Sequence, residues 1–419
     1  MMEVNIISYK DIDYRGKKVL LRLDINSPLD PTTKKITDRT RLIKSCPTLV
    51  HLLRQGAKVA ILAHQGDTLD YQNLIELSEH AAILSELTGY PIKYIDDVCG
   101  PAAIAAVQAL LPGEAVLLGN VRYLTEEIST FETVVKLSPA EQTKTWIVRK
   151  LAPLFDCYVN DAFSAAHRNS PSMCAFQELL PTAAGELLFA EYEALSKVLK
   201  APARPATFVL GGAKISDAFG MMEQVLSNGT ADVILTSGVT GVVFLLAKGV
   251  KVGKKYEEWL RDRKLLDFVE PARNYLTQYG EHIKLPLDLA YEVDGKRCEI
   301  AVADLPLDDG MFLDIGENTV AAYKEFIDKA GTLFINGPAG VYENELFAYG
   351  TRELWRAIAA APGYSVVGGG DSVQAAGKFI DLNDISYVCT AGGAMVRFMT
   401  GKKLPLIVAM EKAAIRERG

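Results

Sequence analysis

The 419-residue chain is poor in the groups that build metal centres and disulfide frameworks. It has six cysteines, Cys46, Cys99, Cys157, Cys174, Cys298 and Cys389, and no C-x-x-C pair. That spacing excludes a stapled scaffold and fits free thiols in a reducing compartment, so the expected location is the cytoplasm. Five histidines with no H-E-x-x-H and no clustered pair argue against a zinc site. Basic residues are in deficit: 45 Lys and Arg against 52 Asp and Glu leave a formal net charge of -7. With no basic surplus, nucleic-acid binding is not expected and any anion site must be local. No uncharged apolar run reaches the ~18 residues of a membrane helix, and the first ten residues, which include Glu3, hold too short an apolar run for a signal peptide. A soluble, unprocessed protein is expected. The motif G-x-x-x-x-G-K-S/T is missing, which removes the common P-loop. No G-x-G-x-x-G follows a strand, which weakens a dinucleotide-binding dehydrogenase, and the H-R-D and D-F-G pair of protein kinases is absent.

What is present is ordinary globular composition, 49% hydrophobic and 23% charged. At roughly 150 residues per domain the length predicts two or three domains. Short β-rich apolar runs recur, each followed by glycine or polar residues and then a helix-period segment. This is the pattern of strands alternating with crossover helices, an α/β chain with parallel sheets. The expected strands are 19–23, 59–63, 115–118 and 157–159 in the first half, then 207–210, 233–236, 331–335, 364–367 and 385–388. These are too many for one comfortable sheet. Between the two sets, the Ala/Leu/Glu-rich stretch 183–200 predicts a helix, and Ala201-Pro202-Ala203-Arg204-Pro205 ends it, marking a domain boundary. The charged stretch 251–267 reads as a solvated helix face or loop. Adjacent Glu126 and Glu127 diverge by ~100° on a helix, so they make no acid/base dyad and read as a solvated helix start.

In open α/β sheets ligands bind beyond the carboxyl ends of the strands, so the residues just after each strand carry the chemistry. In the first half these are Asp24-Ile25-Asn26, His64-Gln65-Gly66-Asp67, Asn120-Val121-Arg122 and Asn160-Asp161-Ala162-Phe163, the last followed by His167-Arg168. Arg41 joins them at the start of an expected helix. Guanidinium groups hold phosphate and carboxylate oxygens bidentately, so this set suits a small, multiply anionic ligand. Each arginine alone reads as a surface or ion-pair residue; recurrence at successive strand ends is what favours a site. Second-half strands run into glycines instead: Gly211-Gly212-Ala213-Lys214, Gly238, Asn336-Gly337-Pro338-Ala339-Gly340, Gly368-Gly369-Gly370-Asp371-Ser372 and Ala391-Gly392-Gly393-Ala394. Glycine permits close backbone approach, and a helix starting just after it points N–H groups at a phosphate. One such pair is no more than a tight turn, whereas several on one sheet edge make a nucleotide site. Asp371 stands where it could meet a phosphate-bound Mg2+, and Ser372 where it either caps the helix or contacts phosphate oxygen. Lys214 is placed to stabilise charge on a transferring phosphoryl group.

Taken in order, these strand ends resemble the phosphoglycerate kinase family over nearly the whole chain. Leu21-Arg22-Leu23-Asp24-Ile25-Asn26-Ser27-Pro28 is similar to R-V-D-F/I-N-V/S-P, Ala63-His64-Gln65-Gly66 to S-H-L/Q-G, and Asn120-Val121-Arg122-Tyr123 to E-N-V/L-R-F/Y. Residues 36–47 resemble the family's I-T/S-D-x-x-R helix start, and 159–168 its V-N-D-A-F-x-x-A-H-R. Residues 210–214 resemble L-G-G-A-K, 335–343 x-N-G-P-x-G-V-F/Y-E, 367–372 x-G-G-G-D-S/T, and 385–394 the V-S-T-G-G-G-A turn.

The resemblance implies two Rossmann-like domains, each a parallel sheet flanked by helices, joined by a hinge helix with a cleft between. Residues 1–182, completed by 402–419, would bind phosphoglycerate; 183–200 would be the hinge and 201–401 the nucleotide domain. It implies reversible in-line phosphoryl transfer between 1,3-bisphosphoglycerate and MgADP on domain closure. Carried over by position, Asp24, Asn26, Arg41, His64, Arg122 and Arg168 go to the phosphoglycerate, with Asp67 in the same turn. Gly211, Gly212, Lys214, Gly238, Leu313, Asn336, Pro338, Gly340, Glu343, Gly369, Gly370, Asp371 and Ser372 go to ADP or ATP. Among these Glu343 is given the ribose, Asp371 the nucleotide's Mg2+, and Arg41 with Lys214 the phosphoryl group in flight. A monomer is expected, with a homodimer as the alternative. Two departures stand out: Ala218 where most bacterial and eukaryotic relatives have a second lysine, and Asp67 where the family turn continues with arginine. Ala218, together with the Asp-Ile-Asn-Ser-Pro and His-Gln-Gly variants, looks like the archaeal-type branch. Residues 125–145 follow no common pattern and have no assigned role.

Overall fold

Residues 5–418 are described by the computed structural model. Along them run β1 (Lys18–Arg22), β2 (Lys58–Leu62), β3 (Ile92–Tyr94), β4 (Ala115–Leu117), β5 (Cys157–Asn160), β6 (Thr182–Ala184), β7 (Ala206–Leu210), β8 (Val233–Thr236), β9 (Ile283–Lys284), β10 (Asp288–Val293), β11 (Lys296–Ala301), β12 (Asp314–Ile315), β13 (Thr332–Asn336), β14 (Tyr364–Gly368) and β15 (Tyr387–Val388). One parallel sheet has the order β3-β4-β2-β1-β5-β6, a second the order β15-β14-β13-β7-β8-β9, and β11-β10-β12 form a small antiparallel sheet.

Alternation along the strands decides which core each residue enters. Val19, Leu21, Val59 and Ile61 pack with helices Thr40–Arg54 and Ser78–Thr88; Leu20, Ala60 and Leu62 pack on the other face with Pro101–Gln108 and Trp146–Leu151. In the second sheet Val209, Leu235, Leu333 and Ile335 meet helices Glu317–Lys329 and Tyr349–Ala360. Strands covered on both faces read as continuous apolar runs, which is why the central ones are legible in sequence.

The chain divides into two units. The first takes in everything up to Glu193 and again from Lys403; the second is Ala194–Lys402. The C-terminal helix Pro405–Arg418 lies in the first, where Leu406 N–H donates to Ala166 O at 3.2 Å and Thr182 N–H to Glu417 Oε1 at 2.7 Å.

Several expectations are corrected. The edge strands β3, β6 and β9 are too short to show a period, and Ala183 and Ala184, expected in the helix, belong to β6; the helix runs Glu186–Lys200. The hairpin β10–β11 carried a readable signal, since Asp294 and Gly295 adopt φ of 50° and 73°, the Asp-Gly turn that joins antiparallel strands. The stretch 251–267 folds as helix Lys254–Asp262 and a following turn, and its Tyr256 and Leu260 are buried rather than solvated. Glu127 is buried as well, in a 3-10 turn. All six cysteines are free, four buried and two half-buried. No helix among the described residues is long and apolar enough to cross a membrane.

At the end of β5, buried Asp161 ties the start of helix Glu186–Lys200 to helix Thr40–Arg54. Leu188 N–H donates to its Oδ1 at 2.9 Å and Thr48 Oγ1 to its Oδ2 at 2.7 Å. Burial outweighs these bonds and pushes the carboxyl up to about 7 from 3.8. The native state therefore holds a proton that the unfolded chain releases. The resulting stability is fully present below about pH 3.8 and is lost as pH rises through about 7. Asp161→Asn should remove that slope: the difference in urea midpoint between parent and variant should vary across this window and level off above it. A constant difference would sink the assignment.

Candidate active site

Each parallel sheet reverses its strand order beside its first strand. β1 has β2 on one side and β5 on the other; β7 has β8 on one side and β13 on the other. Crossovers that leave in opposite directions open a crevice at the carboxyl ends of those strands. Each unit therefore has a crevice of its own.

In the first unit, β1 delivers Arg22, Asp24 and Asn26. Asp24 is 4% exposed, and its Oδ2 lies 2.5 Å from Arg41 Nη1 and also accepts from the Ser164 hydroxyl. Asn26 Oδ1 accepts from Gly66 N–H at 3.1 Å, fixing the turn after β2. His64, in that turn, is 4% exposed and its Nδ1 is 3.0 Å from Arg22 Nη2. A guanidinium can only donate, so Nδ1 is the acceptor and the proton sits on Nε2. Burial, then the positive charge of Arg122, Arg22, Arg41 and Arg168, holds His64 well below its ordinary pKa, so the ring is neutral at pH 7. Asp67 Oδ2 bridges Arg122 Nη1 and Arg168 Nη1, both at 3.2 Å. Arg122 also donates to Gly66 O, and burial lowers its pKa to about 10, still charged at neutral pH.

Three residues of this cluster were missed by sequence reasoning. Arg22 is fully buried; its Nε donates to Ser172 Oγ at 3.2 Å. Ser172 Oγ and N–H both donate to Glu127 at 2.6 Å, and Ser170 Oγ donates at 3.1 Å. Glu127 is thus the buried counter-charge of Arg22 rather than a solvated helix start. Burial raises its pKa while these bonds and Arg22 oppose the rise. The third, Glu132, pairs with Arg168 Nε at 2.6 Å. The one available signal was Arg22 itself, an arginine inside an apolar strand, where an unpaired charge is not tolerated.

In the second unit, the turns after β7, β13 and β14 line a cavity of about 460 Å3. The turns touch backbone to backbone: a Cβ on Gly337 would stand 2.2 Å from Gly211 O, and Gly337 has φ 91°. Only glycine fits there. Helix Gly370–Phe379 starts at this cavity from Gly369, with no side-chain cap on its first N–H groups. Such uncapped donors and the dipole end favour an anion. Lys214 Nζ lies 3.0 Å from Asp371 Oδ2, both side chains exposed. Ser372 is buried, and its Oγ accepts from Gly337 N–H at 2.7 Å, so it joins two turns and does not cap the helix. An adjoining cavity of about 390 Å3 is lined by Gly238, Leu313, Gly340 and Glu343 and by the aromatic rings of Tyr256, Trp259, Phe312 and Tyr342. Each residue that the sequence reading gave to the nucleotide lines one of these two cavities. The aromatic wall was not anticipated.

The sequence profile described as phosphoglycerate kinase matches residues 9–402. The phosphoglycerate kinase of Methanothermus fervidus is 40% identical over 406 residues, 97% of each chain, and that of Thermococcus kodakarensis 41% identical over 406 residues, 96% of each. This chain belongs to the phosphoglycerate kinase family. Solved phosphoglycerate kinases share the fold. The crystal structure from Pyrococcus horikoshii superposes with a TM-score of 0.85 at 36% identity, covering 98% of this chain and 100% of that one; the one from Coxiella burnetii gives 0.83 at 32%, covering the same shares. Within the phosphoglycerate kinase fold, Ala218 is 1% exposed, one of the buried residues of helix Ile215–Ser227. Position 218 contributes packing, and no cation.

Proposed function

We infer that this chain is a phosphoglycerate kinase (EC 2.7.2.3), catalysing the reversible glycolytic reaction of 1,3-bisphosphoglycerate and MgADP to 3-phosphoglycerate and MgATP. The observation that carries the reading is the second crevice: an uncapped helix start, packed glycine turns, and Lys214 beside Asp371 at 3.0 Å. Phosphoryl transfer asks little covalent chemistry of a protein, so the groups required are cations, amide donors and one metal ligand.

In this reading Arg122 and Arg168 bind the distal phosphate of the phosphoglycerate. Asp24, Asn26 and neutral His64 orient its carboxyl end, and Arg41 faces the group in flight. The nucleotide takes the second unit, with its phosphates on the helix at Gly370 and its base in the aromatic cavity, Glu343 holding the ribose. Among the described residues no three His, Cys, Asp or Glu side chains gather to hold a metal. Asp371 alone, exposed at the helix start, is one carboxylate. That suits Mg2+ arriving with phosphate oxygens and water as its other ligands. Bound there, the ion would neutralise nucleotide phosphate charge. Asp371 would hold the ion, and Lys214 Nζ, 3.0 Å from that carboxylate, would face the transferring oxygens. The working form is proposed to be a cytoplasmic monomer.

A coupled assay of 3-phosphoglycerate and ATP consumption tests the reaction; tight binding of both ligands with no turnover would overturn it. Asp371→Ala should raise the Mg2+ concentration for half-maximal rate by about tenfold. An unchanged Mg2+ profile would remove Asp371 from the metal.

A further inference from the structure

The two places where this chain departs from its family's pattern in the first unit meet at one pair of arginines. Asp67 stands where the family turn continues with arginine, and Glu132 lies in the unassigned stretch 125–145. Asp67 Oδ2 sits 3.2 Å from both Arg122 Nη1 and Arg168 Nη1, between two guanidinium groups whose side chains are only 10% and 11% exposed. Glu132 closes on Arg168 from the other side, its Oε2 2.6 Å from Nε, while its Oε1 accepts from Asn169 N–H at 2.7 Å. Two guanidinium groups thus face two carboxylates, and the local charge is balanced without any ligand. A family-type turn with arginine at 67 would present three cations and no such partner. The balance is incomplete in one respect: Arg168 Nη2 is buried and makes no hydrogen bond. A donor left in that state is costly unless something else completes it.

We propose that Asp67 is an internal counterion that occupies the phosphate subsite of the empty enzyme, so that the distal phosphate of 3-phosphoglycerate binds by displacing it. Asp67 is then a specificity-determining residue, and Glu132 a positioning residue that keeps Arg168 oriented through the exchange. Three observations favour this over a purely structural ion pair. Asp67 is the more exposed partner, at 31%, so of the three side chains it is the one with solvent to turn into. Its Oδ1 is separately engaged with Thr68 N–H at 2.7 Å, so Oδ2 alone bridges the guanidinium groups. The orphan Nη2 supplies a donor that a three-oxygen phosphate can use and a single carboxylate oxygen does not. Physically, a competing anion inside the site lowers affinity for phosphate and blunts long-range attraction for a charged substrate.

The inference rests on assigning Arg122 and Arg168 to that phosphate, and the test separates the two. Asp67→Asn keeps the shape and the Oδ1 acceptor while removing the charge. It should tighten 3-phosphoglycerate, measured by calorimetry, by roughly tenfold, and strengthen inhibition by sulfate in parallel, with KM for ATP unmoved. Glu132→Gln should shift both in the same direction by less. The proposal is overturned if Asp67→Asn, folded by its thermal transition, binds 3-phosphoglycerate no tighter than the parent while Arg168→Ala binds it more weakly. If Arg122→Ala and Arg168→Ala also leave binding intact, the assignment of the subsite itself fails. Should Asp67→Asn unfold, Glu132→Gln decides: tighter sulfate and substrate supports the counterion, and no change rejects it.

Discussion

Lys214→Ala should lower kcat by roughly 10^2- to 10^3-fold, the usual cost of losing one preorganised charge aimed at a transition state. The reason is positional. Lys214 immediately precedes helix Ile215–Ser227, beside the cavity that the glycine turns enclose and 3.0 Å from the carboxylate of Asp371. Ala218, the residue one helical turn on, is buried and uncharged, so nothing at that place shares the work. Most of the loss should fall on kcat, with KM for both substrates moving only severalfold, because the ammonium gains most as charge develops in flight. Arg41→Ala should behave alike, although Arg41 is anchored by Asp24 at 2.5 Å and its removal also leaves a buried carboxylate without its counter-charge. Steady-state kinetics in both directions, with thermal melts to show the variants folded, would decide. Equal losses in 1/KM with kcat intact would mean that Lys214 holds the ground state only.

Glu127→Ala should destabilise the first unit by about 3–5 kcal/mol, because it strands the fully buried Arg22. It also leaves the donors of Ser170 and Ser172 without their acceptor. Burial already depresses the Arg22 pKa, with Glu127 the largest charge opposing the shift. Urea unfolding gives the difference, and a second variant keeps the claim open to refutation. If the harm comes from a lone buried charge, Glu127→Ala combined with Arg22→Met should recover part of the loss, since replacing both partners of a buried pair by apolar groups is often close to neutral. No recovery in the double variant would mean that the Ser170–Ser172 turn, not the charge, depends on Glu127. His64 offers an independent check: without Arg22 its Nδ1 loses the donor that fixes its tautomer, so affinity for 3-phosphoglycerate should fall in any variant lacking Arg22.

Much of the candidate site was legible because its chemistry is local. Gly211-Gly212-Ala213-Lys214 and Gly368-Gly369-Gly370-Asp371 are contiguous, and each follows a buried apolar strand that marks where to look. The aromatic cavity was not legible: Tyr256 and Trp259 sit in a charged stretch that looks solvated until the helix is packed. The edge strands β3, β6 and β9 escaped for a related reason, since two or three residues hold no period, while the Asp294-Gly295 turn was a signal that went unread.

By itself the sequence determined the α/β class, the central strands, and which strand ends carry cations or glycines, because a doubly covered strand and a phosphate turn are both written in neighbouring residues. Only the tertiary structure decided which charges answer one another. Asp67 meets Arg168 across 101 positions and Glu127 meets Ser172 across 45. Parallel crossovers bring strand ends together whatever the length of chain between them, so the pairing of buried opposite charges leaves no local pattern. That pairing turned Glu127 from a solvated helix start into the counter-charge of Arg22, and Asp67 from an odd substitution into the occupant of the arginine pair.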